Sequence, residues 1–246
     1  HARESSPNMS ASDHARWRDQ RARTVTAATG NLALVETRWS GATRPDVDAE
    51  RAVAGPTVTV TELSRTSIDT GEPEYGLRRW DADSAAIRAF EHIDAFGYDP
   101  DWVIEGRFTP VEGDGSARTV PFEHIRDNGG TRDLVVPGDI HVTIRGEEFT
   151  LAAFDDGGTL LLVFADATNG SETYGPGRFL FVPRDADAAG VAGTVVLDFN
   201  RAFVPPCGFS AQFNCPLPPA SNRFPFRVPA GEKNVVFRDG FDISAA

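Results

Sequence analysis

Residues 118–183 alternate apolar and polar side chains and carry turn sequences at intervals of about eight to twelve residues. The Asp-Asp-Gly-Gly sequence at 155–158 is one such turn, and residues 160–164 soon after it, Leu-Leu-Leu-Val-Phe, are all apolar. Alternation with short turns is typical of antiparallel strands, and an unbroken apolar run is typical of a central strand buried on both faces. The sequence therefore predicts a mainly β fold: a single antiparallel β-sandwich or barrel-like domain.

The N-terminal residues lack this β pattern. Residues 10–30 predict an amphipathic helix that Ser12 or Asp13 can cap and that Gly30 ends. Residues 31–246 are assigned to the one β-rich domain. Residues 1–9 are interpreted as a tag remnant or a disordered extension.

Two further segments are assigned from their periodicity. Residues 36–55 have little periodicity and several acids, and we predict a loop there. After Trp80, apolar residues recur at every third position from Ile87 to Phe96, which predicts a second helix capped by Asp81, Asp83 or Ser84. A spacing of three drifts around a helix, so only its first two turns are well supported.

Charge and motif content exclude several function classes. The chain has 24 Lys and Arg against 36 Asp and Glu, a net charge of −12, which disfavours nucleic acid or an anionic membrane as a partner. No apolar run approaches the roughly 20 residues of a membrane helix, and no apolar signal core is present, so we expect a cytoplasmic location. Glycine-rich phosphate loops, a G-x-S-x-G motif and zinc-ligand spacings are absent. No cofactor and no metal are expected.

Two polar segments interrupt the strands and are the candidate sites of function. Residues 166–178 join two strong strands, and residues 198–233 include a loop with seven prolines between 204 and 231. Proline restricts the unfolded backbone, so a long loop of this kind can be ordered. We expect the proline-rich loop to pack down beside the 166–178 loop and either to cover a site or to form one wall of it.

Short motifs in these segments resemble a known family. Residues 75–235, approximately, resemble a bacterial and archaeal family called domain of unknown function 1684. The resemblance implies a shared site but supplies no activity, and Phe203-Val204 stand where the family has Tyr-Asn. The motifs are Tyr75-Gly76-Leu77-Arg78, Asp166-Ala167-Thr168, Glu172-Thr173-Tyr174-Gly175, Gly177-Arg178, Leu197-Asp198-Phe199-Asn200-Arg201, Pro205-Pro206-Cys207, Cys215-Pro216-Leu217-Pro218-Pro219, Asn222-Arg223 and Gly231-Glu232-Lys233.

The candidate residues follow from side-chain chemistry. Arginines can hold a carboxylate or phosphate, and a buried carboxyl with a raised pKa can transfer a proton. The candidate catalytic residues are Asp198, Glu232 and Cys207, and the candidate ligand-binding residues are Asp166, Thr173, Tyr174, Arg178, Asn200, Arg201, Asn222, Arg223 and Lys233. Asp198 and Asn200 are expected to face the same side of one strand and to pair with Arg178 or Arg201.

Other assignments stay open. Cys207 and Cys215 are interpreted as structural thiols, as a loop-closing disulfide, or as redox or nucleophilic groups. His124 is expected to be a core or edge residue.

Three functions are considered. The first is binding of a small polar or anionic metabolite in a pocket formed by residues 166–178 and 198–233. The second is an enzyme, such as a hydrolase, that uses an Asp or Glu base and arginines that hold the substrate. The third is a structural or interaction protein whose polar groups only tie loops together. A cavity lined by Arg178, Asp198 and Glu232 would support the binding or the enzyme function, and the absence of such a cavity would support the structural one.

Overall fold

The computed structural model describes residues 10–111 and 118–245. The protein is mainly β and antiparallel, as the alternation predicts. The helices are α1 (Ala11–Val25), α2 (Val47–Val53) and α3 (Ala85–Ala89). The strands are β1 (Leu34–Gly41), β2 (Val58–Thr66), β3 (Pro73–Asp81), β4 (Phe90–Ala95), β5 (Val103–Pro110), β6 (Thr119–Glu123), β7 (Thr131–Val135), β8 (Gly138–Ile144), β9 (Glu147–Asp156), β10 (Thr159–Phe164), β11 (Arg178–Val182), β12 (Gly193–Asp198) and β13 (Glu232–Phe237).

A six-stranded sheet in the order β11-β10-β9-β8-β5-β12 forms a half-barrel. One face of each strand supplies the main core; Phe108, Ile140 and Leu162 are at most 1% exposed there. The edge strands β11 and β12 approach each other, which curls the sheet around this core. Because side chains alternate along a strand, the opposite face of β5, β8 and β12 carries polar residues.

The second face of β10 is also buried. Leu161 and Val163 pack there with Phe179 of β11 and Phe213 of the proline-rich loop. The prediction of a central strand buried on both sides is therefore confirmed. This second cluster fixes the proline-rich loop to the sheet through apolar contacts.

The prediction of a loop at residues 36–55 is wrong. Residues up to Gly41 continue β1, which pairs with β3 in a three-stranded sheet of order β1-β3-β2. Asp46 then caps α2 by accepting a hydrogen bond from the Ala49 amide at 3.0 Å. Strand pairing with β3 supplies the order that the local sequence does not indicate.

The second predicted helix is shorter than expected. Ser84 caps α3 as proposed, with its hydroxyl accepting the Ile87 amide at 3.0 Å. The helix ends after Ala89, and β4 follows and pairs with β13. The three-residue spacing did not support a longer helix, and pairing with a strand more than 130 residues away along the sequence determines the structure from Phe90 onward.

The N-terminal helix is confirmed but shorter than residues 10–30. Ser10, rather than Ser12 or Asp13, is the cap, and Asp13 completes a reciprocal capping box with it. The interpretation of residues 1–9 lies outside the described residues. No helix within residues 10–111 and 118–245 is long and apolar enough to cross a membrane.

The proline-rich loop is ordered, as predicted. Its backbone makes hydrogen bonds to several other segments, including Leu217 N to Glu123 O at 2.7 Å and Phe224 N to Ala165 O at 2.8 Å. Gly231, with φ of +82°, ends the loop. A Cβ at this position would lie 2.7 Å from the carbonyl oxygens of Phe199 and Ala202, so glycine is required for this close approach.

Candidate functional site

Asp166 links the 166–178 loop to the end of the proline-rich loop. Its buried carboxylate accepts the Thr168 hydroxyl at 2.8 Å and the Val228 amide at 2.6 Å. Arg178, the first residue of β11, lies 3.4 Å away and has the same fully buried environment. All these bonds are internal, and they join two segments that are 62 residues apart in sequence.

The Arg178 guanidinium binds backbone carbonyls as well as Asp166. It donates to Val228 O at 2.9 Å, to Glu232 O at 3.1 Å and to Ala230 O. Burial lowers the pKa of Arg178 from its ordinary value, and the neighbouring Asp166 carboxylate opposes that shift. Arg178 therefore holds the chain leading into β13, because three alternate carbonyls converge on one cation.

Glu232, the first residue of β13, is 1% exposed and lies beside this cluster. Its carboxylate accepts two hydrogen bonds from Arg21 of α1, at 2.8 and 2.9 Å, and one from the Val204 amide at 2.9 Å. Asp166, Arg178 and Glu232 thus lie together, and we call them, with Arg21, the buried ion network. Its oxygens and most of its N–H groups have protein partners, although Nε of Arg178 has none among the described residues.

Asp198 and Asn200 form a separate group. Asp198 ends β12, but Asn200 lies in the 3₁₀ turn that follows, so the prediction that both lie on one strand is wrong. The Asp198 carboxylate accepts the Asn200 amide at 3.1 Å, and the Asn200 carbonyl faces His14 Nε2 at 2.9 Å. Arg178 pairs with Asp166 instead, and no ion pair joins Arg201 to Asp198 in the described parts of the chain.

Asn222 and Arg223 bind backbone groups. The Asn222 side chain is fully buried, accepts the Ala152 amide at 3.0 Å, and donates to the carbonyls of Ala152 and Val163 at 2.8 and 2.9 Å. Arg223 donates to Pro218 O at 3.0 Å. Asn222 acts as a polar link between the proline-rich loop and strands β9 and β10.

Thr173 and Lys233 also have internal partners. The Thr173 hydroxyl lies 2.9 Å from the Thr168 hydroxyl, within the 166–178 loop. Nζ of Lys233 lies 4.4 Å from the centre of the Phe96 ring, a cation–π contact.

Tyr174, Cys207 and Cys215 form a buried thiol cluster. The cysteines are not bonded to each other. The Tyr174 hydroxyl donates to Cys207 Sγ at 3.4 Å, and the Cys207 amide donates to Cys215 Sγ at 3.3 Å. Hydrogen bonds from the Cys215 thiol and then from Tyr174 lower the pKa of Cys207 to about 7, against the effect of burial. The contact with Cys207 and then burial raise the pKa of Cys215, and burial raises that of Tyr174.

One cavity lies on a surface that neither of the two loops lines. An open cavity of about 500 Å³ lies on the face of the half-barrel opposite the main core. β5 and β8 pair through residues 107–110 and 138–141. The residues of β5 before Arg107 and of β8 after His141 are not paired with each other, and they line the cavity with these two residues. We call this surface the strand groove; its polar side chains are Glu105, Arg107, His141, Thr143, Glu148, Thr150 and Thr194.

The register of the sheet places the groove residues in rows. Arg107 lies directly opposite both His141 and Thr194, and His141 lies opposite Thr150, whose hydroxyl is 3.3 Å from Nδ1. The sequence signal was present, because these residues alternate with the core residues of their strands. It did not stand out, because any solvent-facing side of a sheet shows the same alternation.

Comparison with known proteins gives the family. The family model described as "Protein of unknown function (DUF1684)" matches residues 88–233, more than half of the chain. The chain belongs to this family. No curated protein matches it.

The chain is similar to solved structures. One of them is the solution NMR structure of an uncharacterized protein from gene locus rrnAC0354 of Haloarcula marismortui, with 32% sequence identity and a TM-score of 0.48. The match covers 59% of this chain and 77% of that protein.

The strand groove, Asp166, Arg178 and Glu232 all lie within the DUF1684 match. Arg21 and His14, which lie on α1, are outside the match. The Tyr75-Gly76-Leu77-Arg78 motif that resembled the family lies on β3 and is also outside it. The buried ion network therefore joins the DUF1684 segment to a helix that precedes it.

Two buried histidines give a prediction for stability against pH. Burial lowers the pKa of His14 and of His124, which lies just after β6 as a core residue. Since the unfolded state has histidines of pKa about 6.5, protons bind preferentially to the unfolded chain below that pH. We expect the free energy of unfolding, measured by urea denaturation, to decrease as the pH is lowered from about 7.5 to about 5.5.

The histidine variants test this prediction. His14→Asn and His124→Asn should each reduce this pH dependence. An equal slope in His124→Asn and the unmodified protein would contradict the assignment.

Proposed function

We propose that the protein binds a small anionic metabolite in the strand groove. The observation that carries this proposal is that Arg107 and His141 lie opposite each other on neighbouring strands and both line a cavity of about 500 Å³, a volume typical of small-molecule sites. The side chains of Arg107, Glu105 and Glu148 have no hydrogen bond or ion pair within residues 10–111 and 118–245. Their polar atoms are available to a ligand.

The lining indicates the ligand's chemistry. A guanidinium beside an imidazole suits a carboxylate or phosphate, since charge-assisted hydrogen bonds to such groups are strong and directional. Glu105 and Glu148, on the same groove, accept hydrogen bonds from hydroxyl or amino groups. The best fit is a small acid that also carries hydroxyl or amino donors.

The contacts of the two loops support a structural role for their polar residues. Arg178 and Asp166 are fully buried and bind each other and the backbone. Glu232, a candidate proton-transfer group, already accepts three hydrogen bonds. Under this proposal the loops keep the half-barrel rigid, and the groove on its outer face takes the ligand.

A titration with named probes tests the site. Inorganic phosphate, gluconate and glutamate would be added to the unmodified protein, Arg107→Met and the surface control Arg44→Met, with thermal unfolding followed in each. A ligand at one hundred times its Kd stabilises a protein by about 2.7 kcal/mol. We expect a shift with at least one probe, unchanged in Arg44→Met and weakened about tenfold in affinity in Arg107→Met.

Other outcomes contradict the groove. A shift lost in Arg223→Met but kept in Arg107→Met would move the site to the two loops. Absence of a shift with all three probes at millimolar concentration would remove the support for anion binding.

A further inference from the structure

The thiol cluster has the arrangement of a redox pair. Cys207 lies in the 3₁₀ turn Pro206–Gly208, and Cys215 follows in the same proline-rich loop. The Cys207 amide donates to the Cys215 sulfur at 3.3 Å, and the Cys207 sulfur accepts the Tyr174 hydroxyl at 3.4 Å. The Cys215 carbonyl accepts a hydrogen bond from the Ile125 amide at 3.0 Å, and the turn around Cys207 is closed by a hydrogen bond from the Phe209 amide to the Pro206 carbonyl at 2.9 Å. The backbone is therefore held in place at both cysteines.

We propose that Cys207 and Cys215 form a reversible intramolecular disulfide when the protein meets a peroxide, with Cys207 as the attacking thiol and Cys215 as the resolving thiol. The site is separate from the strand groove, which is lined by β5, β8, β9 and β12 and contains no cysteine, whereas the two thiols pack against β10 and β11. Both thiols are 5% exposed, so a molecule as small as hydrogen peroxide is the oxidant that fits.

The chemistry balances in two steps. The Cys207 thiolate attacks one oxygen of hydrogen peroxide, the O–O bond breaks, and hydroxide leaves and takes a proton to become water. The resulting sulfenic acid is then attacked by the Cys215 sulfur; the S–S bond forms, the S–O bond breaks, and a second water leaves with the Cys215 proton. Two thiols are oxidised by two electrons, and one peroxide is reduced to two waters.

The environment of Cys207 assigns it the attacking role. The thiolate is the nucleophile, and the pKa of Cys207 is about 7, lowered chiefly by the Cys215 thiol and the Tyr174 hydroxyl. About half of it is then ionised at neutral pH, against a few per cent for an ordinary cysteine. The pKa of Cys215 is raised, so Cys215 stays protonated until the sulfenic acid forms.

Tyr174 is a positioning residue in this scheme. Its hydroxyl donates to Cys207 Sγ at 3.4 Å and stabilises the thiolate. Removal of that donor in Tyr174→Phe keeps the ring in the second core cluster, so it should affect reactivity more than folding. We expect oxidation at neutral pH to slow by about two- to tenfold, with its pH profile shifted upward, since each pKa unit changes the thiolate population about tenfold below the pKa.

Mass spectrometry of the intact, folded protein tests the proposal. Hydrogen peroxide should remove two hydrogens from the unmodified protein, dithiothreitol should restore them, and peptide mapping should locate the bond between Cys207 and Cys215. In Cys215→Ala the oxidised Cys207 should be trapped by dimedone, whereas in Cys207→Ala dimedone should not label Cys215. Circular dichroism and thermal unfolding would establish that each variant is folded.

Three results would overturn the proposal. These are two free thiols remaining in the unmodified protein after excess peroxide, a disulfide between two molecules, and oxidation of Cys207 beyond the sulfenic acid with no bond to Cys215. The mapping uses the unmodified protein, so the proposal remains testable if an alanine variant does not fold.

Discussion

Replacing Arg178 with methionine is expected to lower the free energy of unfolding by about 3–5 kcal/mol, the usual effect of removing one partner of a buried ion pair. The variant keeps the apolar stem but leaves the buried Asp166 carboxylate without its cation. It also removes donors from the carbonyls of residues 228, 230 and 232. The measurement is equilibrium urea unfolding followed by circular dichroism.

Arg227→Met is the matched control for Arg178→Met. Arg227 also pairs with an acid, Glu172 at 2.7 Å, but its side chain is 52% exposed. An exposed ion pair contributes about 0–1 kcal/mol, so this variant should unfold at nearly the same urea concentration as the unmodified protein. A loss below about 1 kcal/mol in Arg178→Met would contradict the structural role and would favour a ligand-binding one.

The strands of the half-barrel were predictable because local sequence determines their faces. β8 alternates Ile140, Val142 and Ile144 with polar residues, and β10 is apolar throughout, as its burial on both faces requires. The pairing of β4 with β13 had no local signal. Such contacts between distant segments override local propensity, so the helix predicted after Trp80 became mostly strand.

The sequence identified the polar residues that cluster in the structure, but it did not show what their side chains bind. Asp166, Arg178 and Glu232 were selected by residue type, and the structure brings them together. The sequence could not show that Arg178 binds backbone carbonyls, because every residue has a carbonyl and only the path of the proline-rich loop brings three of them within reach. A buried ion network and a ligand pocket therefore look alike in sequence.

A double-mutant cycle on Arg21 and Glu232 is expected to show coupling of about 2–4 kcal/mol. The two side chains are 14% and 2% exposed, and the guanidinium donates to both carboxylate oxygens. Arg21→Met leaves Glu232 with the Val204 amide alone, which satisfies one oxygen but not its charge. Glu232→Gln keeps the shape and removes the charge. Urea unfolding of both single variants and the double variant gives the coupling energy.

The cycle tests whether α1 is energetically part of the DUF1684 segment. The exposed pair Arg16 and Asp13 lies on the same helix, so a second cycle there controls for changes in the helix itself and should give less than about 1 kcal/mol. Additivity within about 0.5 kcal/mol at Arg21 and Glu232 would mean that the pair contributes nothing and that the helix docks through apolar contacts. Strong coupling would mean that Arg21 of the helix supplies the cation for the buried Glu232 carboxylate of the DUF1684 segment. Arg178, the other nearby cation, donates to the Glu232 backbone carbonyl and not to its carboxylate.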